Sequence, residues 1–336
     1  MKKIFRCLMI FSFCLNLKFA ARAQQNEIYQ LDKKISVPGD GGWDYLAIDQ
    51  INRRLYVSHG TSVNVIDLNT ETVIGDIKGM TGVHGIAIAN EFGKGFISDG
   101  KANAVVVFDL KTFNKISTIS ITGKDPDAIT YDPFSKRIFA FNGDSKDAAV
   151  IDPVSLKQIG SVDLGGGPEF AVADGKGKIY NNLEDKNSLN VIDTKALKVT
   201  GNYPLSPCGG PTGLALDKGN QRLFTACRQN KGMSVVDINS GKVITTLPIG
   251  SGVDAVAYDP ETKLVFCSNG DGTLNIIKQT SADDYTAVQN LNTQARAKTM
   301  ALDPKTHKIY LSASQFEKGT RNVVPGTFSV LVYKMK

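Results

Sequence analysis

Cysteine, histidine and tryptophan are scarce in this sequence, at five, three and one residues of 336. Cys7 and Cys14 fall in an N-terminal segment treated below, which leaves Cys208, Cys227 and Cys267. An odd set of thiols cannot pair fully within one chain, and so few exclude a disulfide framework. There is no C-x-x-C and no C-x-x-C-H, so neither a dithiol redox motif nor haem attachment is indicated. G-x-S-x-G and H-E-x-x-H are also missing, so no nucleophile is placed by motif beside a histidine. Sustained 3.6-residue periodicity is lacking throughout, which excludes solenoids of helix pairs.

A long apolar run is lacking too. "CLMIFSFCLNL" is shorter than the roughly 20 residues that span a bilayer. It follows the positive start "MKKIFR" and precedes the small-residue pattern Ala21-Arg22-Ala23. The expectation is a cleaved secretory signal over 1–23 and a mature chain from Gln24, periplasmic or secreted. A retained N-terminal anchor is the alternative. Five of the 39 basic residues (Lys2, Lys3, Arg6, Lys18, Arg22) leave with the signal and no acid does, so the balance becomes 34 against 33. The formal charge of +6 therefore belongs mostly to the signal, and nothing global favours nucleic acid. One disulfide, Cys208 to Cys227, is permitted in an oxidising compartment.

What is present is a repeat. An apolar alternation closed by Asp ends at Asp49, Asp132, Asp174, Asp217, Asp259 and Asp303, and "IAIA" at Ala89 fills the same slot without the acid. The steps are 40, 43, 42, 43, 42 and 44 residues. A second mark, two apolar residues and Asp, falls at Asp67, Asp109, Asp152, Asp193 and Asp237, 18 to 20 residues after the first. Each unit reads as four short strands separated by turn formers. Seven such units of about 40–45 residues predict an all-β, seven-bladed β-propeller, a single domain over 24–336. The last unit stops one strand short, and "YQLDKKISVPGDG" matches the fourth-strand pattern. Residues 28–37 are therefore expected to close blade seven beside 328–334, leaving no open edge.

In such a ring the innermost strands line a central channel. The residue just inside each is Asp44, His84, Asp127, Glu169, Thr212, Asp254 or Lys298, and six of these are ionisable. Like charges crowded at a mouth raise carboxylate pKa values. Asp44, His84, Asp127 and Glu169 come from consecutive blades, and their oxygens with one imidazole suit a divalent cation, Ca²⁺, Mg²⁺ or Zn²⁺, with Asp44, Asp127 and Glu169 as the candidate metal ligands. His84 is the candidate proton carrier. The competing reading is a water-filled mouth with Lys298 offsetting the acids. Turns between second and third strands share that face and offer His59, Asp99, Asn142, Asp144, Asn182, Arg228 and Asn269; apart from Arg228 these suit ordinary turn chemistry. Trp43 is expected to wedge between blades or to stack on a ligand, and His307 to be solvated on the far face. The long turn "QFEKGTRNVVPGT" carries Lys318 and Arg321. It suggests a lid, with Arg321 and Lys298 holding an anion.

"YVSH" (56–59), "FISD" (96–99), "FAFN" (139–142), "FTAC" (224–227) and "YLSA" (310–313), with the closing "VPGTFSVLVYK", resemble the YVTN-repeat, YncE-like propellers of bacteria. That resemblance implies an exported seven-bladed fold, mostly without assigned activity, with DNA binding in some members. The tetrapeptide carries no catalytic residue, so it transfers no site. Gluconolactonase-like propellers, with a metal on Glu, Asn and Asp, and metal-free sugar-phosphate lactonases offer analogies, but Asn is missing from this ring. The expectation is a monomeric binding protein that presents a charged mouth to a small molecule or partner protein. The alternative is a lactone hydrolase.

Overall fold

The computed structural model describes residues 27–39 and 42–336. The expected signal segment lies outside the described residues. The described chain forms seven four-stranded antiparallel sheets, each built from consecutive strands except the last. Blade one spans 43–77, two 83–120, three 126–163, four 168–204, five 211–248 and six 253–292. Blade seven combines residues 300–335 with Tyr29–Ser36 from the N-terminal side. Helix among the described residues is limited to three single 3₁₀ turns, at Asn90–Phe92, Gly100–Ala102 and Glu184–Lys186.

Burial explains the strand sequences. The middle strands of a blade have a neighbouring sheet on each face, so Arg54–His59 and Ser62–Asp67 are buried almost end to end. The outermost strand faces water on one side, and Lys198–Pro204 alternates exposed with half-buried residues. The apolar residues gather into clusters between adjacent blades rather than into one central core. Leu55, Val57 and Ile66 of blade one pack on Tyr310, Val330 and Val332 of blade seven, for example.

Both repeated acids have physical work. Asp49, Asp132, Asp217, Asp259 and Asp303 are buried at the ends of inner strands. Their carboxylates accept turn N–H groups, as from Ile51 and Asn52 to Asp49. Four of them also take a donor from the next blade: Asn90 to Asp49, Gln279 to Asp217, His307 to Asp259 and Arg53 to Asp303. The second mark caps exposed turns, as Asp67 does for Asn69 and Thr70. His307 is therefore not solvated as the sequence suggested. Its Nδ1 lies 2.7 Å from the buried Asp259 Oδ2, and its carbonyl accepts a hydrogen bond from Tyr29 Oη.

Closure follows the expected pairing. Tyr29–Ser36 runs antiparallel to Ser329–Met335, with Tyr29 opposite Met335 and Ser36 opposite Ser329. Gln289 of blade six fastens the strand. Its Oε1 accepts from Ile28 N and Tyr29 N, and its Nε2 donates to Tyr29 O.

Candidate functional site at the channel mouth

Each inner strand of blades one to six begins with a β-bulge, and the bulge holds the ring residue. Register shifts fall between Trp43 and Leu46, Val83 and Ile86, Pro126 and Ile129, Pro168 and Ala171, Pro211 and Leu214, and Val253 and Ala255. An extra residue there bends the strand and re-aims one side chain out of the sheet. Side chains of the second strands hold the bulges. Ser98 Oγ accepts from Gly85 N and donates to Asp127 O of the next blade. Asn182 Nδ2 donates to Thr212 O, and Ser268 Oγ to Lys298 O, across the same kind of seam. Gly85 has a packing reason as well: a Cβ there would stand 2.7 Å from Asp127 O.

The bulges of blades one, two and three converge. His84 Nδ1 lies 2.8 Å from Asp44 Oδ2 and 3.5 Å from Asp127 Oδ1. One ligand atom from each of the three lies within 4.8 Å of the others. The Asp44 hydrogen bond, opposed by burial and aided by Asp127, raises the imidazole pKa to about 8. Burial and the Asp44 charge push Asp127 up to about 7. Asp125 also bears on the ring: a Cβ on Gly100 would stand 2.7 Å from its Oδ1 and 2.9 Å from His84 Nε2. Asp44 and His84 border a cleft of about 240 Å³ that also takes in Trp43 and Lys101.

Glu169 stands apart from that trio. Burial, then the charges of Glu184 and Asp127, raise its carboxyl to about 9, so it holds its proton at neutral pH. Arg228 lies beside this acid pair, with Nη1 2.9 Å from Glu184 Oε1 and Nη2 2.6 Å from Asp254 Oδ1. Lys298 Nζ completes the arrangement, 2.7 Å from Asp254 Oδ2. The mouth thus has two halves: a His-carboxylate cluster on blades one to three, and a cation-carboxylate network on blades four to seven. Beneath them, Tyr45 of blade one and Phe170 of blade four meet with ring centroids 4.6 Å apart. Blades one and four lie across the axis, so this pair floors the mouth. Burial and the charges of Asp127, Asp44, Glu169 and Asp254 hold the Tyr45 hydroxyl well above its ordinary pKa.

No protein-family model matches the chain. Antigen Lp49 of Leptospira interrogans (serogroup Icterohaemorrhagiae, serovar copenhageni, strain Fiocruz L1-130) is 25% identical over 181 residues, 52% of this chain and 39% of that protein. The chain therefore spans well under half the length of that curated relative. Among solved structures, a chain of a mitotic checkpoint complex superposes with a TM-score of 0.77 at 13% identity, over 97% of this chain and 98% of that one. The Cps50 (Swd1) β-propeller domain of Myceliophteria thermophila gives 0.71 at 11%, over 92% and 100%. A chain of Kuenenia stuttgartiensis hydrazine synthase gives 0.51 at 15%, over 71% and 96%. At these identities the likeness shows the seven-bladed propeller and nothing of its chemistry.

Several expected site residues lie elsewhere than the sequence placed them. Glu169, expected in one oxygen set with Asp44 and Asp127, is with Glu184 and Arg228, whereas His84 stands between Asp44 and Asp127 as its place on the rim implied. Thr212 is fully buried, its Oγ1 directed to Val253 O, so it does not face the mouth. Arg321 is exposed and, among the described residues, forms no ion pair; Lys298 is committed to Asp254. The loop that carries Arg321 is anchored by Phe316, which packs on Trp43 and under the Arg296 guanidinium. Trp43 also packs on Phe328, so it serves as a wedge. Asp99 and Asn269 make turn contacts, to Thr81 N and to Thr273 O. Cys208 and Cys227 are joined, while Cys267 is buried as a free thiol. Glu184, Asp125 and Tyr45 were missed. Glu184 and Asp125 sit in turns, where acids are ordinary, and Tyr45 sits at a strand start, where an aromatic is ordinary.

Proposed function

We propose that this chain is a binding propeller whose mouth holds a divalent cation on Asp44, His84 and Asp127 and offers it to a small oxygen-bearing ligand. The observation that carries the reading is three ligand atoms from three successive blades within 4.8 Å of one another. The imidazole shifts the preference from Ca²⁺ or Mg²⁺ toward Zn²⁺, because nitrogen donors suit the softer ions. The cation-carboxylate half is placed to orient the ligand's polar end, and the Tyr45–Phe170 floor keeps the ligand shallow. Export is part of the proposal: the Cys208–Cys227 disulfide accords with an oxidising compartment. So is kinship with the YVTN-repeat propellers, which the degenerate tetrapeptides support. The acid-rich mouth argues against nucleic acid as the partner.

The test is thermal melting after EDTA treatment, with Zn²⁺, Mn²⁺, Ca²⁺ or Mg²⁺ added back. A bound cation at 100 times its Kd stabilises by about 2.7 kcal/mol, a rise of several degrees. His84→Ala and Asp127→Asn are expected to abolish that rise. A melting point that no cation moves would end the reading. Lactone hydrolysis is the second reading. It is favoured by Glu169, a carboxyl that keeps its proton at neutral pH, as a general acid must. Turnover of a lactone panel that Glu169→Gln removes would promote it, and an inert wild-type protein would dismiss it.

A further inference from the structure

The face opposite the mouth holds a cleft of about 360 Å³ at the seam of blades four and five. Its origin lies in the sequence. In blade four the turn from Asp174 to Ile179 is one residue shorter than its counterpart from Asp132 to Ile138. Gly175 and Gly177 take positive φ of 73° and 106° to make it. Asp174 and Lys176 of this tight turn line the cleft.

Three lysines from the two blades border the opening: Lys176, Lys178 and Lys218. All three are exposed, and among the described residues none of their ammonium groups forms an ion pair or hydrogen bond. Asp174 lines the same cleft and offsets one of the three charges; its Oδ1 accepts from the backbone N–H groups of Lys176 and Lys178, and two positive charges remain in excess. A Cβ on Gly175 would stand 3.5 Å from Lys218 Nζ, so the blade-five lysine reaches across the seam. Inside the cleft, Tyr180 is 1% exposed as a residue, and its hydroxyl has no hydrogen-bond partner among the described residues. That hydroxyl is not sealed off in the protein, so a ligand in the cleft can meet it. Gln221 gives its Oε1 to Asn239, which leaves its amide N–H groups free. The wall is Tyr203, fixed by its hydroxyl to Ile238 O and lying where a Cβ on Gly241 would collide with it, at 2.3 Å.

We infer that this cleft binds a small organic anion, a phosphate or carboxylate on a flat apolar body. The lysines, the Tyr180 hydroxyl and the Gln221 amide hold the charged end, and Tyr203 packs on the body. Three ammonium groups outnumber the one carboxylate of the lining, the cavity is of ligand size, and no step of the mouth chemistry uses any of these residues.

The experiment is isothermal titration of the purified protein with phenyl phosphate and, separately, inorganic phosphate at low salt. Phenyl phosphate is expected to bind, and more tightly than inorganic phosphate. Lys176→Ala/Lys218→Ala is expected to weaken it by about tenfold or more, and Tyr180→Phe by about threefold to tenfold. Asp127→Asn, at the mouth, is expected to leave it unchanged. Absence of phenyl phosphate binding overturns the inference, as does an affinity that survives the double lysine substitution. Weakening by Asp127→Asn would place the ligand at the mouth and overturn it too. Equal affinity for the two phosphates would remove the organic body from the proposal and refute it as stated. The lysines are exposed, so unchanged melting of the double variant separates lost binding from lost fold.

Discussion

Glu169 shows what an environment does to a single residue. Its carboxyl is half-buried beside Glu184 and Asp127, and burial with like charge raises it from the ordinary 4.5 to about 9. Between those values the unfolded chain carries the ionised form while the folded one keeps its proton. Stability contributed by this group therefore falls as pH rises across that window. Glu169→Gln, which cannot ionise, is expected to melt higher than wild type at pH 8 and to match it near pH 5. Melting curves over that range check this; parallel profiles for the two proteins would show the acid pair to be solvated and harmless. His84 has the opposite sign: its raised pKa contributes stability present below pH 6.5 and lost as pH passes about 8. The spacing of the repeat put His84 and the acids on one rim. It did not say which of them touch, because contact depends on side-chain direction at the bulge.

At the scale of the strand, the repeat is held by a few side chains that bridge to the next blade. Ser98 is fully buried and serves Gly85 N, Gly85 O and Asp127 O. Gln289 does comparable work for the closing strand, meeting Ile28 N, Tyr29 N and Tyr29 O while 4% exposed. Gln289→Ala strands those groups, and each buried unsatisfied group costs about 1–3 kcal/mol. A loss of at least about 2 kcal/mol in denaturant unfolding is expected, with faster hydrogen exchange confined to Tyr29–Ser36 and its partner strand. Uniform exchange changes across all blades would show that the strand is not separately latched. The strands themselves were legible, since short apolar alternations between turn formers have few other uses. Gln289 was not, because a glutamine on an outer strand looks like any solvated residue until the chain end is laid beside it.

At the scale of the ring, the seam between blade one and blade seven joins residues 250 apart. Arg53 Nη1 and Nη2 donate to Asp303 Oδ1 and Oδ2 at 2.8 and 2.6 Å, and the carboxylate is fully buried. Against the penalty of that burial, the Arg53 hydrogen bonds pull Asp303 down to about 2. Its contribution is therefore present above the ordinary 3.8 and lost as pH falls through about 2. Arg53→Met leaves a buried charge unpaired and is expected to cost about 3–5 kcal/mol. Arg53→Met/Asp303→Leu is expected to recover most of it. If chemical unfolding of the single variant shifts by less than about 1 kcal/mol, the seam is held by packing alone.

The sequence by itself determined the all-β class, the seven units, their strand order and the pairing of the two ends. Those follow from apolar period, turn chemistry and repeat length, which are local quantities written along the chain. It also determined the rim on which the ionisable residues stand, because equivalent positions in a closed ring share a height. Only the tertiary structure decided that His84 makes its hydrogen bond to Asp44, that Glu169 turns to Glu184, and that Arg228 and Lys298 converge on Asp254. Those pairings depend on how each bulge aims its side chain and on which neighbours cross the axis, and a repeat carries neither piece of information.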